Sequence, residues 1–218
     1  WWKMDEASWV NNCSSPTVLD SSGNSLHGKS CPNGSGITTL GVGKYSKAPR
    51  FDGINDYVNL YSSALNTKFN GNKGTIALWF KANTASVWTD SSTYSIFHLG
   101  ADINNRILVQ KTPGSYLYLS RVAAGVAKTY TSVTSGTNWI HVAIVWDTST
   151  NQQIFYLNGV AVKTLTGLSV YSGILASNRA VIGAHSATQY FWPGMVDDIR
   201  IYNYARSASQ IISDMTGL

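Results

Sequence analysis

Eleven carboxylates in 218 residues set the limits of what this chain can do chemically: one glutamate, Glu6, and ten aspartates. Glycoside hydrolysis needs two carboxylates flanking the scissile bond. Asp197-Asp198 is the only adjacent aspartate pair, and neighbouring residues of a strand point to opposite faces, so the two do not easily share one bond. No Glu-x-Asp-x-x-Glu spacing occurs. Nucleophile motifs are missing as well, since there is no Gly-x-Ser-x-Gly and the serines fall in turns. Gly34-Ser35-Gly36 and Gly41-Val42-Gly43 do not lead into a helix carrying Lys-Ser/Thr, which excludes a phosphate-cradling loop. The residue types argue for binding over catalysis.

A metal is better supplied. Calcium takes six to eight oxygens from carboxylates, amides, main-chain carbonyls and water. The polar turn Asp20-Ser21-Ser22-Gly23-Asn24-Ser25-Leu26-His27-Gly28 offers Asp20 for charge and carbonyls from Gly23 to Gly28, including that of His27, whose ring suits a hard cation poorly. The alternative is that Asp20 and Asn24 are Asx-turn residues that cap main-chain groups without any ion. Asp52 and Asp56, around Gly53-Ile54-Asn55, pose the same choice between a second calcium and local turn hydrogen bonding. Cys13 and Cys31 lie 18 positions apart in a turn-rich stretch. A disulfide closing that loop contributes about 3 kcal/mol by chain entropy, against the alternative of two free thiols. Two cysteines are too few for zinc unless His27 joins them, and the spacing fits no zinc pattern.

The elements that must hold these residues read as short strands. Trp139-Ile140-His141-Val142-Ala143-Ile144-Val145-Trp146-Asp147, Gln153-Ile154-Phe155-Tyr156-Leu157 and Val160-Ala161-Val162-Lys163 are rich in β-branched and aromatic residues. The last two flank Asn158-Gly159, the strongest short hairpin signal, because both residues of a type I′ turn need positive φ. Ala180-Val181-Ile182-Gly183 and Gly194 to Tyr202 follow. Upstream, Trp1 to Asp5 reads as a strand, Asn11 to Gly43 as a long loop, and Arg50 to Gly53, Tyr57 to Leu60, Gly74 to Lys81, Tyr94 to Leu99, Arg106 to Gln110 and Tyr116 to Ser120 as further strands. Ile76, Leu78 and Phe80 mark one strongly apolar strand face. Trp79, Trp139 and Trp146 alternate with apolar neighbours and read as core. Ser207 to Ser213 is the one persuasive helix, with Ser207 at the N-cap and Gln210 at N3. The expectation is an all-β fold, a two-sheet antiparallel β-sandwich of jelly-roll type with one short C-terminal helical turn, forming a single domain over residues 1–218.

Charged residues make up only 12% of the chain, well under the usual quarter. The net charge of +5 is scattered, its densest cluster being Lys44, Lys47 and Arg50. Nucleic-acid binding wants a basic stripe, so the charge is better spent on an acidic polysaccharide. No run of 18 apolar residues occurs, which excludes a transmembrane helix and membrane insertion through one. No leader-like segment precedes Trp1-Trp2, so the sequence reads as a mature or excised module of a larger chain. A disulfide implies an oxidising, extracytoplasmic location.

Seven pieces of the sequence together resemble one family. Trp2 to Glu6, Asp20-Ser21-Ser22-Gly23-Asn24 with His27-Gly28, Phe51-Asp52-Gly53 with Asp56-Tyr57-Val58, and Thr75 to Phe80 are similar to the laminin G-like (concanavalin A-like) jelly-roll domains. Trp139 to Val142, Tyr156-Leu157-Asn158-Gly159 and Gly194 to Ala205 continue the likeness in the family's order. The resemblance implies a non-catalytic module of a secreted or cell-surface protein that binds glycans or other surfaces, often with calcium. It places the Asp20 turn near the C-terminal Val-Asp-Asp-Ile strand, making Asp197 or Asp198 a partner ligand. Lyases of this shape use an Arg, Gln, His and Tyr constellation; His98, His141 and His185 are present, but no stretch resembles the lyase signatures.

Recognition of a glycan falls to aromatics, because sugars present apolar C–H faces. The loop-borne candidates are Trp88 and Tyr94, flanking a polar stretch with Asp90, and Tyr190 and Trp192 before Pro193-Gly194; rigid scaffolds let loops carry recognition. The alternative is that the same side chains cover an open end of the sandwich. The sequence thus predicts a calcium-stabilised, lectin-like carbohydrate-binding module, extracellular, either secreted or at the cell surface. The alternative is an adhesion or structural domain of a larger surface protein, whose mark is a flat apolar patch for protein partners.

Overall fold

A computed structural model describes residues 1–32, 36–37 and 40–217; part of the long loop, including Gly34 and Ser35, lies outside them. Among the described residues fourteen strands form: β1 (Lys29–Cys31), β2 (Leu40–Val42), β3 (Lys47–Pro49), β4 (Tyr57–Asn59), β5 (Lys73–Ala82), β6 (Tyr94–Gly100) and β7 (Arg106–Thr112). They continue as β8 (Tyr116–Ala123), β9 (Val126–Val133), β10 (Ile140–Asp147), β11 (Gln152–Leu157), β12 (Val160–Leu165), β13 (Ala180–Ile182) and β14 (Gly194–Tyr202). Seven form one antiparallel sheet in the order β1-β4-β13-β6-β7-β8-β9, and five form the other, β12-β11-β10-β5-β14, with β2-β3 a separate hairpin. The architecture is the expected jelly-roll sandwich.

The two faces of β5 are sorted as their alternation requires. Ile76, Leu78 and Phe80 enter the core, where they meet Phe97, Leu99, Ile107, Val109, Leu117 and Leu119 of the facing sheet, all at most 1% exposed. Each such side chain is worth about 1.5–3 kcal/mol on full burial. Trp146 joins this core, but Trp79 does not: it lies on the outer face, with Lys44 Nζ 4.2 Å from its ring. Trp139 is half-buried beside Lys81. The Asn158-Gly159 hairpin forms with φ of 48° and 80° and joins β11 to β12.

Several elements differ from the sequence reading. Trp1 to Asp5 makes no ladder; Trp2 alone bridges Ile199 and Asp20, and its buried indole donates to the Leu26 carbonyl. Arg50 to Gly53 is likewise a single bridge, Arg50 to Met195, followed by a loop. Helices α1 (Ser63–Lys68) and α2 (Ser86–Thr89) fall between strands, too short to show a helical period. Helix α3 (Ala208–Thr216) has the expected capping box between Ser207 and Gln210, runs a turn further than expected, and ends on Gly217 at φ 79°. Its Ile211 closes a small apolar cluster with Ala77, Ala143, Val145 and Tyr156 on the outer face of the five-stranded sheet.

Candidate functional site

The Asp20 turn is closed by main-chain bonds between Val18 and Gly28, and Gly28 is required there because a Cβ would meet Leu60 at 2.9 Å. Gly23 sits at the exposed apex with φ 83°. Asp20, 8% exposed, accepts from the Ser22 and Leu26 N–H groups at 2.9 Å each, from the Ser22 hydroxyl at 2.8 Å and from the Trp1 nitrogen at 3.0 Å. Burial alone would raise its carboxyl, but these donors hold it down at about 2. Asn24 donates to Ser22, and His27 accepts the Asp20 N–H on Nδ1.

Asp197 and Asp198 do not behave as simple strand neighbours. A bulge between Asp197 and Arg200 makes Asp198 the extra residue, at φ 47°. Asp197 Oδ2 accepts the Lys44 and Tyr45 N–H groups at 2.7 and 3.0 Å, whereas its Oδ1 is buried without a partner. Asp198 takes the Trp1 indole N–H and lies 3.2 Å from Arg200. Among the described residues no three His, Cys, Asp or Glu converge as a metal cluster. As folded, the donor set suits a hydrogen-bonded turn; an ion there would use turn carbonyls and displace Ser22 and Leu26 from Asp20. Asp52 caps its own turn, accepting the Ile54 and Asn55 N–H groups at 2.8 and 3.1 Å. Cys13 and Cys31 form the expected disulfide.

The proposed aromatic platforms divide. Trp88 and Trp192 are 1% and 0% exposed, packed edge to face with centroids 6.2 Å apart and both against Phe80, so they plug the end of the sandwich and offer no face to a sugar. Asp90 is half-buried and already engaged, accepting from Lys111 Nζ at 2.6 Å and from the Tyr94 hydroxyl at 2.8 Å. Tyr190 alone is open, at 46% exposure.

The structure instead brings together residues that sequence reasoning did not join. A cleft of ≈ 310 Å³ opens between the Asp20 turn, the end of α1 and the end of β14, walled by Trp1, Phe69, Tyr202 and Tyr204 with Asn24, Lys68, Arg200 and Asn203. Through Lys68, Phe69 and Asn203 it continues into a second cleft of ≈ 470 Å³ lined by Asn70, Asn72, Tyr171 and Ser172. Tyr204 is 40% exposed. Arg200 and Arg206 stack on the rings of Trp1 and Tyr202, each at 4.4 Å, which fixes the aromatic wall. The result is a groove of apolar rings interleaved with amides, Lys68 and Arg200, and among the described residues no carboxylate lines either part. Such a surface can stack on C–H faces and bond hydroxyls. The one signal in the sequence was the aromatic density of Tyr202-Asn203-Tyr204.

Comparisons with known proteins agree with the architecture. The family described as Concanavalin A-like lectin/glucanases superfamily (Laminin_G_3) matches residues 51–212. No curated protein sequence matches the chain. Among solved structures, the chain is similar to domain 4 of AbnA, a GH43 extracellular arabinanase from Geobacillus stearothermophilus, in complex with arabinotriose. Identity is 20% and the TM-score 0.68, over 98% of this chain and 96% of that one. It is also similar to the botulinum neurotoxin serotype D ligand binding domain in complex with N-acetylneuraminic acid, at 14% identity and TM-score 0.67, over 98% of this chain. The receptor binding domain of the neurotoxin mosaic serotype C/D gives 14% and 0.69 over 99%. The chain spans about half of these two neurotoxin chains, 51% of each. At such identities the likeness establishes the fold alone. Among the described residues no helix is long and apolar enough to cross a membrane.

Proposed function

Because the chain belongs to the concanavalin A-like lectin/glucanases superfamily, we propose that it is a non-catalytic carbohydrate-binding module whose ligand lies in the groove along Tyr204, Asn203 and Lys68. The carrying observation is the groove itself: two contiguous clefts, aromatic-walled, amide-lined and, among the described residues, without a carboxylate. Its length favours an extended polysaccharide over a single sugar. Its lack of acids favours holding a glycosidic bond over cleaving one. Two solved neighbours in complex with sugars, arabinotriose and N-acetylneuraminic acid, support the class of ligand. The disulfide supports an extracellular location, secreted or at the cell surface.

Calcium belongs to this proposal as a stabiliser of the Asp20 turn, held by Asp20 and main-chain oxygens of Gly23 to Gly28, with Asp197 or Asp198 behind it. The ion would supply a fixed point for a loop that forms one wall of the groove.

A glycan array probed with the isolated domain, in calcium and then in chelator, tests the reading. Selective binding to one polysaccharide class, lost with Asn203→Ala and Lys68→Ala, is the expected result. A blank array from folded protein would turn the assignment to protein-contacting adhesion. New reducing ends or unsaturated uronates on incubation would overturn the non-catalytic part.

A further inference from the structure

The outer face of the seven-stranded sheet carries chemistry that the groove does not use. Register places His98 of β6, Leu108 of β7 and Ser120 of β8 in one row turned away from the core. Ser95, Gln110 and Tyr118 make the next row, and Gly100, Arg106 and Val122 the row on the other side. Arg179 joins at Gly100, whose N–H donates to its carbonyl at 2.9 Å. From the loop after β13, His185 stacks on His98 with centroids 4.4 Å apart, and Tyr190 stands edge-on to His185 at 5.7 Å.

This face has donors without acceptors. His98 is fully buried, and its Nδ1 accepts the Ser186 N–H at 3.1 Å, which leaves the ring proton on an Nε2 that has no partner. Arg106 Nε and Arg179 Nη1 are buried and unpartnered too, as are the hydroxyls of Ser95 and Ser120. Among the described residues neither guanidinium has a salt-bridge partner. The Arg179 charge, after burial, pushes the Arg106 guanidinium below its ordinary value, so the two cations stand close enough to repel. Buried donors are costly unless something accepts from them, and both arginines are themselves only partly buried. Asp102 and Tyr118 favour the Arg106 charge from a distance, but among the described residues neither forms a salt bridge with it; a guanidinium fork matches the edge of a carboxylate or sulfate.

We propose that Arg106, Arg179, His98 and His185 form an oxyanion-binding site on the outer face of the seven-stranded sheet, taking the carboxylate or sulfate of an acidic glycan. Tyr190 is the exposed ring beside it, and Ser120 lies in its floor. The glycan as carrier rests on the function proposed above; the oxyanion does not.

Two measurements test it. The unaltered domain is titrated with sodium sulfate and with free galacturonate while the imidazole resonances are followed by NMR. Saturable shifts at His98 and His185, absent at His27 and His141, are expected; flat responses to both anions would overturn the site. Calorimetry then compares polygalacturonate, dextran sulfate and neutral arabinan. Arg106→Gln should weaken an acidic polymer about tenfold or more, an effect relieved by salt, and leave arabinan unchanged. Arg106→Lys, which keeps the charge, covers a failure of the glutamine variant to fold and should lose less. Equal affinity for acidic and neutral polymers, untouched by either variant, would overturn the proposal. If no polymer binds but sulfate still moves both imidazoles, the oxyanion site stands and the glycan reading falls. The preferred anion in the polymer series separates carboxylate from sulfate.

Discussion

The imidazoles of His98 and His185 lie nearly parallel, 20° apart in plane with centroids at 4.4 Å. Two stacked rings beside Arg106 and Arg179 cannot readily both take up protons. Burial first, and then the charges of His185, Arg179 and Arg106, bring His98 down to about 2; burial and the two arginines bring His185 to about 4. His141, buried beside Trp79, is lowered to about 4, chiefly by desolvation.

A pH dependence follows with a definite sign. These histidines are neutral in the native state, whereas in the unfolded chain each protonates near 6.5. As pH falls below 6.5 the unfolded state binds protons that the native state refuses, so stability drops down to about pH 4. Between pH 7 and pH 5 Asp197 and Asp56 act in the opposite sense, since burial raises their carboxyls to about 7 and about 6 and the native state takes up protons there, so the net loss should be only about 2 kcal/mol, on the order of 5 °C in melting temperature. Scanning calorimetry reads the net loss. An NMR titration of the imidazoles in the folded domain separates the two contributions; a ring of the three that protonates near 6.5 would contradict its burial.

Trp192→Ala should be a stability mutant and not a binding mutant. The side chain is 0% exposed, packs on Trp88 and Phe80, and sits so close to Gly194 that a Cβ there would meet it at 2.3 Å. Truncation should cost about 3–5 kcal/mol. Urea denaturation reads that loss, and oligosaccharide binding by the variant at low temperature should match the unaltered domain.

Trp192 also marks what the sequence leaves hidden. The core face of β5, the Asn158-Gly159 turn and the Ser207 cap are local patterns, each decided within a few residues, and all are legible. Trp88 and Trp192 stand among turn residues, and only the pairing of β5 with β14, more than a hundred positions apart, shows that both close the same end. The polar strand β9 escapes because it is half-exposed, with no apolar face to register. The groove escapes for the same reason as the tryptophans: Lys68 and Tyr204 are neighbours only after the sheets close. The bulge at Asp198 cannot be seen in a pattern that assumes strict alternation.

Asp20→Ala separates the turn from the ion. The carboxylate caps the N–H groups of Ser22 and Leu26, so its loss should cost about 1–3 kcal/mol even in chelator. Since the Asp20 carboxyl is held at about 2, this contribution is present above about pH 4 and fades as pH falls toward 2. In calcium the loss should be larger, because the variant forfeits the ion's stabilisation as well. Equal losses in calcium and chelator, read by thermal denaturation, would remove the ion from the turn.

The last prediction ties the C-terminal helix to the groove. Asp214, 1% exposed on α3, accepts from Arg200 Nη1 at 2.7 Å, from the Tyr202 hydroxyl at 2.8 Å and from Arg206 Nε at 3.0 Å. Arg206 also donates to the Tyr204 hydroxyl at 3.2 Å. One buried carboxylate therefore steadies two arginines and the tyrosines that wall the groove, although it lines neither cleft. Asp214→Ala leaves those guanidiniums with reduced compensation and should cost about 3–5 kcal/mol. It should also loosen α3 over Ile211, seen as faster amide exchange along the helix. Sugar affinity should fall with it, because Tyr202 and Tyr204 lose their anchors. Tyr204→Phe, which keeps the ring and removes one of these anchors, should keep stability within about 1 kcal/mol and lower affinity less than Asp214→Ala does. If Asp214→Ala left affinity intact while destabilising the helix, the tyrosine wall would not be part of the binding surface.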